Sequence, residues 1–361
     1  MHFGLWHFWT HGEVFVAPLL ARVIHSQELR KFSTRNASLE MALVGRLFAA
    51  ESTLEIQLTL VAIYALFWYH FVEKASARLG DYLKKQPYVH DFTYLSQRTF
   101  RSGYYVDLSR EQAFDLTLFV GAVLCQHLVG GALCLPSVLG GAGSLATSLA
   151  MHGGLCEAGW EVSDIVSRGG QLLFGGERGR KRNPRNLVLI LAGHHLMGQL
   201  MVVPMNLRHR GSRDYHEMIM LLQFAAFWAG FFQLYGYTLD LDVPAQFRRM
   251  QISVSVTLGA VLWSRGFRYV VVGRRLLAAL DGEPRMRACG ALVLSIMGIF
   301  NAFVIFDCSK KFMKFCGPPK LRRRFTSSAA LVDAPAAPSD GAPPPASPPR
   351  LRRRPGSSRG A

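Results

Sequence analysis

Polar and apolar residues along this chain do not alternate at the period of a surface helix or a half-buried strand. Apolar residues gather instead in blocks about 20 residues long with almost no charge inside them, the length a helix needs to cross a bilayer. Seven such blocks can be drawn, at 54–72, 114–136, 143–165, 186–206, 217–237, 251–272 and 287–307. The third is the weakest, being rich in Gly, Ala and Ser and ending on acidic residues. In lipid a backbone must satisfy its own hydrogen bonds, and uninterrupted blocks of this length do so as helices. The pattern predicts an all-α fold, a polytopic transmembrane bundle of about seven spans (six to eight).

The flanks divide the chain further. Residues 1–50 form an N-terminal segment whose start, Phe3 to Leu20, carries Trp6, Phe8, Trp9 and Phe15. This predicts an interfacial amphipathic helix, and no basic stretch before a clean apolar run marks a cleaved signal. Residues 51–310 hold the bundle and 311–361 a tail. Ten of the 17 prolines lie beyond Cys316, in a Pro/Ala/Ser run broken by Leu321-Arg322-Arg323-Arg324 and Leu351-Arg352-Arg353-Arg354. Such a stretch buries no core and is expected to be disordered. Its arginine clusters resemble retention signals of the early secretory pathway, and equally a polybasic patch for lipid.

The formal net charge of +17 raises nucleic acid as a partner, but the charge sits in the wrong places. The tail and segment 166–185 are basic and flank spans, where Lys and Arg meet anionic lipid headgroups. The expected partners are therefore the bilayer, a lipid substrate and anionic headgroups, not nucleic acid. Loops on the side of the tail carry about twice the Lys and Arg of the other side, which predicts a cytosolic C-terminus. The sequon Asn36-Ala37-Ser38 lies on the opposite, lumenal side of this arrangement. Cys125, Cys134, Cys156 and Cys289 lie inside blocks without paired spacing and read as small apolar residues.

Histidine supplies the chemistry. His127, His152 and the pair His194-His195 lie near the middle of three blocks, where a ring nitrogen without a partner is costly. Between them Glu157, Glu161 and Asp164 recur at i, i+4 and i+7, on one helical face. Carboxylates on one stripe in a low dielectric need protons, a cation or imidazoles beside them, and a carboxyl–imidazole pair is equipped for general acid–base work. His127, His152, His195, Glu157 and Asp164 are the candidate catalytic residues. Gln126, His194, Glu161, Trp160 and Asn206 are candidates for holding a substrate. His127, His152 and one of His194 or His195 are expected to share one polar cavity with Glu157. The bland alternative is that each imidazole only hydrogen-bonds a neighbouring helix.

An internal echo adds to this. Gln126-His127-Leu128-Val129-Gly130 runs on to Pro136, and His194-His195-Leu196-Met197-Gly198 runs on to Pro204, at a common offset. Two hairpins on one plan suggest a duplicated unit with a site where the repeats meet. Metal is not indicated by spacing: His7 and His11 precede the spans, and the HxxHH box of membrane di-iron enzymes is missing. Zinc on His127, His152 and His195 is geometrically allowed but not demanded.

A histidine pair at mid-membrane followed by a span with acidic residues resembles the TLC family (TRAM, LAG1 and CLN8 homology domains). Two registers fit: Gln126-His127 with His152, Glu157, Glu161 and Asp164, or His194-His195 with Asn206, Arg208, His216 and Glu217. The resemblance spans roughly residues 50–310 and lacks the His-Asp-x-x-Asp run of ceramide synthases. It implies an endoplasmic reticulum protein of lipid metabolism or lipid homeostasis, with acyl transfer or lipid sensing as its business. An acyl-CoA would then be the donor, and His195 or His127 the base, oriented by Glu157 or Asp164. A proton-coupled or lipid transporter is the alternative, and a non-catalytic trafficking or scaffold protein the second.

Overall fold

The structure is a computed structural model that describes residues 42–86, 109–141, 143–236, 239, 241 and 243–318. The expectations for Phe3 to Leu20, for the sequon at Asn36 and for the basic tail beyond 318 lie outside the described residues.

Among the described residues every regular element is helical. α1 covers Leu54–Lys84, α2 Arg110–Val138, α3 Ser144–Phe174, the short α4 Gly176–Arg182, α5 Arg185–Arg208 and α6 Arg213–Gly236. α7, Pro244–Val261, passes through a π-helical stretch, Leu262–Arg268, into α8, Tyr269–Ala279, and α9 covers Pro284–Cys316. Proline opens α7 and α9, where its missing N–H costs nothing, and a Ser109/Gln112 capping box opens α2. Pro136 and Pro204 stand inside α2 and α5 close to their ends. The Pro136 carbonyl is taken up by the Gly141 N–H at 2.8 Å.

Five helices, α1, α2, α5, α6 and α9, are long and apolar enough to cross a membrane. The chain is thus an integral membrane helical bundle. The expected count of about seven exceeds these five because α3 and α7–α8 fall short in apolar length, each for its own physical reason.

α3 is the central helix, packed against α1, α2, α5 and α6. Its exposed large apolar side chains are Leu145 at its start and Ile165, Val166, Leu173 and Phe174 in its last third, and none lies between 146 and 164. A helix enclosed by protein meets no lipid, so it needs small residues for close contact more than apolar bulk. Gly159 shows the requirement: a Cβ there would lie 2.8 Å from the backbone nitrogen of Ala65 on α1. α7–α8 departs for another reason. Arg265 and Arg268 lie within the π stretch that interrupts it, and a π-bulge inserts an extra residue that redirects side chains.

Aromatic packing locks α1, α2 and α3 together. Trp68, Val72, Ala122, Cys156 and Trp160 form one buried cluster, within which the Trp68 indole N–H donates to Cys156 Sγ at 3.2 Å. The two echoing hairpins do not repeat one arrangement. α2 and α3 pack along each other, whereas α5 lies against α3 and α9, and α6 against α2, α7 and α8.

Candidate functional site

The acidic stripe of α3 is where the bundle's polar groups converge. From α2, the Gln126 amide donates to Glu157 Oε2 at 2.6 Å, and His127 Nδ1 lies 3.5 Å from the same oxygen. From α5, His195 Nε2 donates to Asp164 Oδ2 at 3.0 Å, and His195 Nδ1 lies 3.8 Å from Glu161 Oε1. Glu157 and Glu161 are one helical turn apart. The two echoing motifs therefore land on the same stripe, one above the other.

Each carboxylate has its own support. Arg168, one turn beyond Asp164, donates to its Oδ2 at 2.7 Å and to Asn183 Oδ1 at 3.1 Å. Gln199, one turn beyond His195, donates to Glu161 Oε2 at 2.9 Å and to the Ala158 carbonyl at 2.8 Å. Gly198 makes the approach of α5 and α3 feasible, because a Cβ at that position would overlap the Glu161 carboxylate. Glu161, Asp164 and His195 are buried. Asp164 is thereby paired with both Arg168 and His195, whereas Glu161 receives the Gln199 amide.

His194 and His195 are adjacent and so point about 100° apart on the helix. His195 faces α3. His194 turns toward α9, stacking on Phe300 with ring centroids 4.4 Å apart and placing Nδ1 3.3 Å from Met297 Sδ. Its ring still offers an atom within 4.8 Å of both Glu161 and His195.

Three sequence candidates stand elsewhere. His152 does not share a cavity with His127 and Glu157. Its Nδ1 is 3.0 Å from the Tyr64 hydroxyl and its Nε2 2.9 Å from the Phe48 carbonyl. With Nε2 donating and Nδ1 accepting, both nitrogens are satisfied, which makes His152 a tie between α3, α1 and the residues preceding α1. Asn206 belongs to a separate buried network, donating to Gln57 Oε1 at 2.9 Å and accepting from the Tyr215 hydroxyl at 3.1 Å. Trp160 packs in the aromatic cluster beside Phe119, away from the acids. In both helices carrying these residues, depth is readable from position along the block, but the face is not.

The second family-like register is likewise divided. His216 lies 2.7 Å from Ser137 Oγ. Glu217 is clamped by Arg268 and by Arg275, the latter at 3.0 Å. The histidine pair of α5 thus meets the acids of α3, not those that follow it in sequence.

One further group does not stand out in the sequence. Arg265 is buried, donates to Asn301 Oδ1 at 2.8 Å and to the Leu222 carbonyl at 3.1 Å, and stands over the Phe300 ring. A basic residue in the middle of an apolar block is the available signal.

Chemically, the layer holds two carboxylate–imidazole pairs, His127 with Glu157 and His195 with Asp164. Such pairs accept and return protons when the carboxylate fixes the ring and stabilises its charged form. A small recess is lined by Phe119, Asp164, Arg168, Gln171 and Arg182. Compared with protein-family models, curated proteins and solved structures, the chain matches none of them.

Proposed function

We propose that this chain is a multi-pass endoplasmic reticulum membrane protein of lipid metabolism, of TLC-like architecture with about seven spans, and that its chemistry is acyl transfer. The observation that carries the reading is the convergence of Gln126-His127 and His194-His195 on one acidic stripe at mid-bundle. In this scheme His127 takes the proton from an amine or hydroxyl acceptor as it attacks an acyl carbonyl. Glu157, steadied by the Gln126 amide, holds the ring and stabilises the imidazolium. The proton then passes to the leaving group, which for an acyl-CoA donor is a thiolate. In this reading the basic α4, with Arg178, Arg180 and Lys181, meets the phosphates of such a donor or of lipid headgroups. The C-terminus, on the α4 side, is cytosolic.

The test is transfer of a labelled acyl chain to endogenous lipid in membranes with and without the protein. The reading expects a new acylated lipid that disappears in His127→Ala and Glu157→Gln. Unchanged lipid profiles with well-expressed protein would overturn it.

A proton-coupled carrier is the second reading, favoured by one observation. A small recess is lined by Asp164 and Arg168, and Asp164 in turn pairs with His195. Proton-dependent flux in proteoliposomes would select it.

A further inference from the structure

We infer that Glu161, His194 and His195 hold a divalent transition-metal ion of the zinc class. One donor atom from each of the three lies within 4.8 Å of the others, and Glu161 and His195 are buried.

The second observation is an orphan. His195 Nδ1 is buried, has no hydrogen-bond partner and points at Glu161. Its other nitrogen is committed to Asp164 at 3.0 Å. With Nε2 carrying the hydrogen of that bond, Nδ1 presents a lone pair to a carboxylate oxygen 3.8 Å away. In that tautomer two acceptors face each other in a low dielectric, a contact that a proton or a metal ion between them relieves. Asp164 behind the ring is the partner that metal-bound imidazoles have, a carboxylate that fixes the tautomer and raises ligand basicity.

The nearby cations do not fill this need. Arg168 is engaged by Asp164 and Asn183, and Arg265 by Asn301 and the Leu222 carbonyl. Glu161 receives the Gln199 amide. His194 directs Nδ1 at the weak thioether acceptor of Met297, which leaves its second nitrogen for a ligand role.

Donor identity selects the ion. Two imidazoles and one carboxylate suit zinc or ferrous iron, and disfavour the all-oxygen shells of calcium and magnesium. Around zinc, nitrogen and oxygen donors about 2.0–2.1 Å from the ion stand about 3.3 Å apart in a tetrahedron. Binding therefore draws the three side chains together. Three protein ligands leave the fourth position open, as in catalytic sites, and an ion there would polarise a carbonyl while the His127–Glu157 pair handles protons.

This inference does not depend on the acyl-transfer reading, because metal content is measured whatever the reaction. The experiment uses the full chain in lipid nanodiscs, stripped with chelator, exposed to Zn²⁺ and desalted, with metal measured by mass spectrometry. The expected result is about one zinc per chain. Glu161→Gln, His195→Asn and His194→Asn should each lower retention at least tenfold, and His152→Gln should retain it. Co²⁺ in place of Zn²⁺ should give the visible bands of a low-coordinate nitrogen–oxygen site in the wild type and lose them in the variants. A zinc-dependent rise in unfolding temperature, present in the wild type and missing from monodisperse variants, separates loss of ligand from loss of fold. Substoichiometric zinc in the wild type, or undiminished zinc and cobalt spectra in all three variants, would overturn the site.

Discussion

His195 on α5 and Asp164 on α3 meet at 3.0 Å across two helices, with Arg168 donating to the same carboxylate oxygen at 2.7 Å. One oxygen thus accepts from an imidazole and a guanidinium, which fixes the ring orientation of His195 from behind. Replacing Asp164 by Asn removes the charge and offers an amide that can present a donor to Nε2. The ring then has reason to invert its tautomer. The partner behind a metal-bound imidazole contributes about 10–100-fold in metal affinity or activity. Asp164→Asn is expected to lower acyl transfer within that range, while stability in detergent falls by about 1–3 kcal/mol as Arg168 loses its ion pair. Turnover at the wild-type level, normalised to folded protein, would remove the pair from the mechanism.

The close approach of α3 and α1 at Gly159 gives a prediction about packing alone. A Leu there would drive its Cβ against Tyr64 and the Ala65 backbone. Overpacking of this kind costs about 1–3 kcal/mol, and more where backbone must move. Gly170, on the same helix, has open space where a methyl would sit, with nothing within 4 Å. Gly170→Ala is therefore expected to stabilise by about 0.5–1 kcal/mol, since alanine is the better helix former. Thermal unfolding of the two variants should move in opposite directions; equal shifts would contradict the packing.

His152 separates structural from chemical histidines. Its two hydrogen bonds join α3 to Tyr64 and to the Phe48 carbonyl. At about 0.6 kcal/mol for each such bond in a membrane protein, His152→Ala should cost roughly 1 kcal/mol of stability. Activity per folded molecule should persist, in contrast to His127→Ala. Complete loss of activity in folded His152→Ala would restore His152 to the site.

The helix order places α4 and the end of α9 at one end of the bundle, and the α5–α6 and α8–α9 connections at the other. At the far end Arg208 reaches Glu283 at 3.1 Å, and Arg213 reaches the Val138 carbonyl. At the near end Arg178 reaches Asp115 at 3.4 Å. Protease added to sealed microsomes should cut an epitope beside α4 and one after Cys316 together. An epitope at Gly211 should be protected. Protection of the tail epitope would invert the orientation.

How much of this is legible in the chain follows from what periodicity can report. Block length predicts the helices, since backbone in lipid must be helical over the whole block. The stripe of Glu157, Glu161 and Asp164 is legible because helical spacing puts i, i+4 and i+7 on one face. The partners of that stripe are legible for His127 and His195 only in part. Depth along a block says which residues lie at one level, but the rotation of each helix is set by its neighbours. His152 precedes the stripe on the same helix and faces α1. Asn206 follows His195 on α5 but lies beyond the layer, with Gln57 and Tyr215. The weakness of the third block is real: α3 is poor in apolar bulk, and protein packs around its middle. Arg265 is hidden by its block, whose average hydropathy outweighs its two arginines, Arg265 and Arg268.

The enclosure of α3 bears on how the chain is made. A helix that carries three carboxylates and a run of glycines partitions poorly into lipid when it stands alone. During synthesis α1 and α2 emerge first, and they supply the Tyr64, Trp68, Gln126 and His127 contacts that α3 needs. Part of its shelter is therefore present when it leaves the ribosome. The rest, with His195 and Gln199, arrives only when α5 has been made. In that interval Asp164 has Arg168 on its own helix, while Glu161 waits for the Gln199 and His195 contacts that α5 brings.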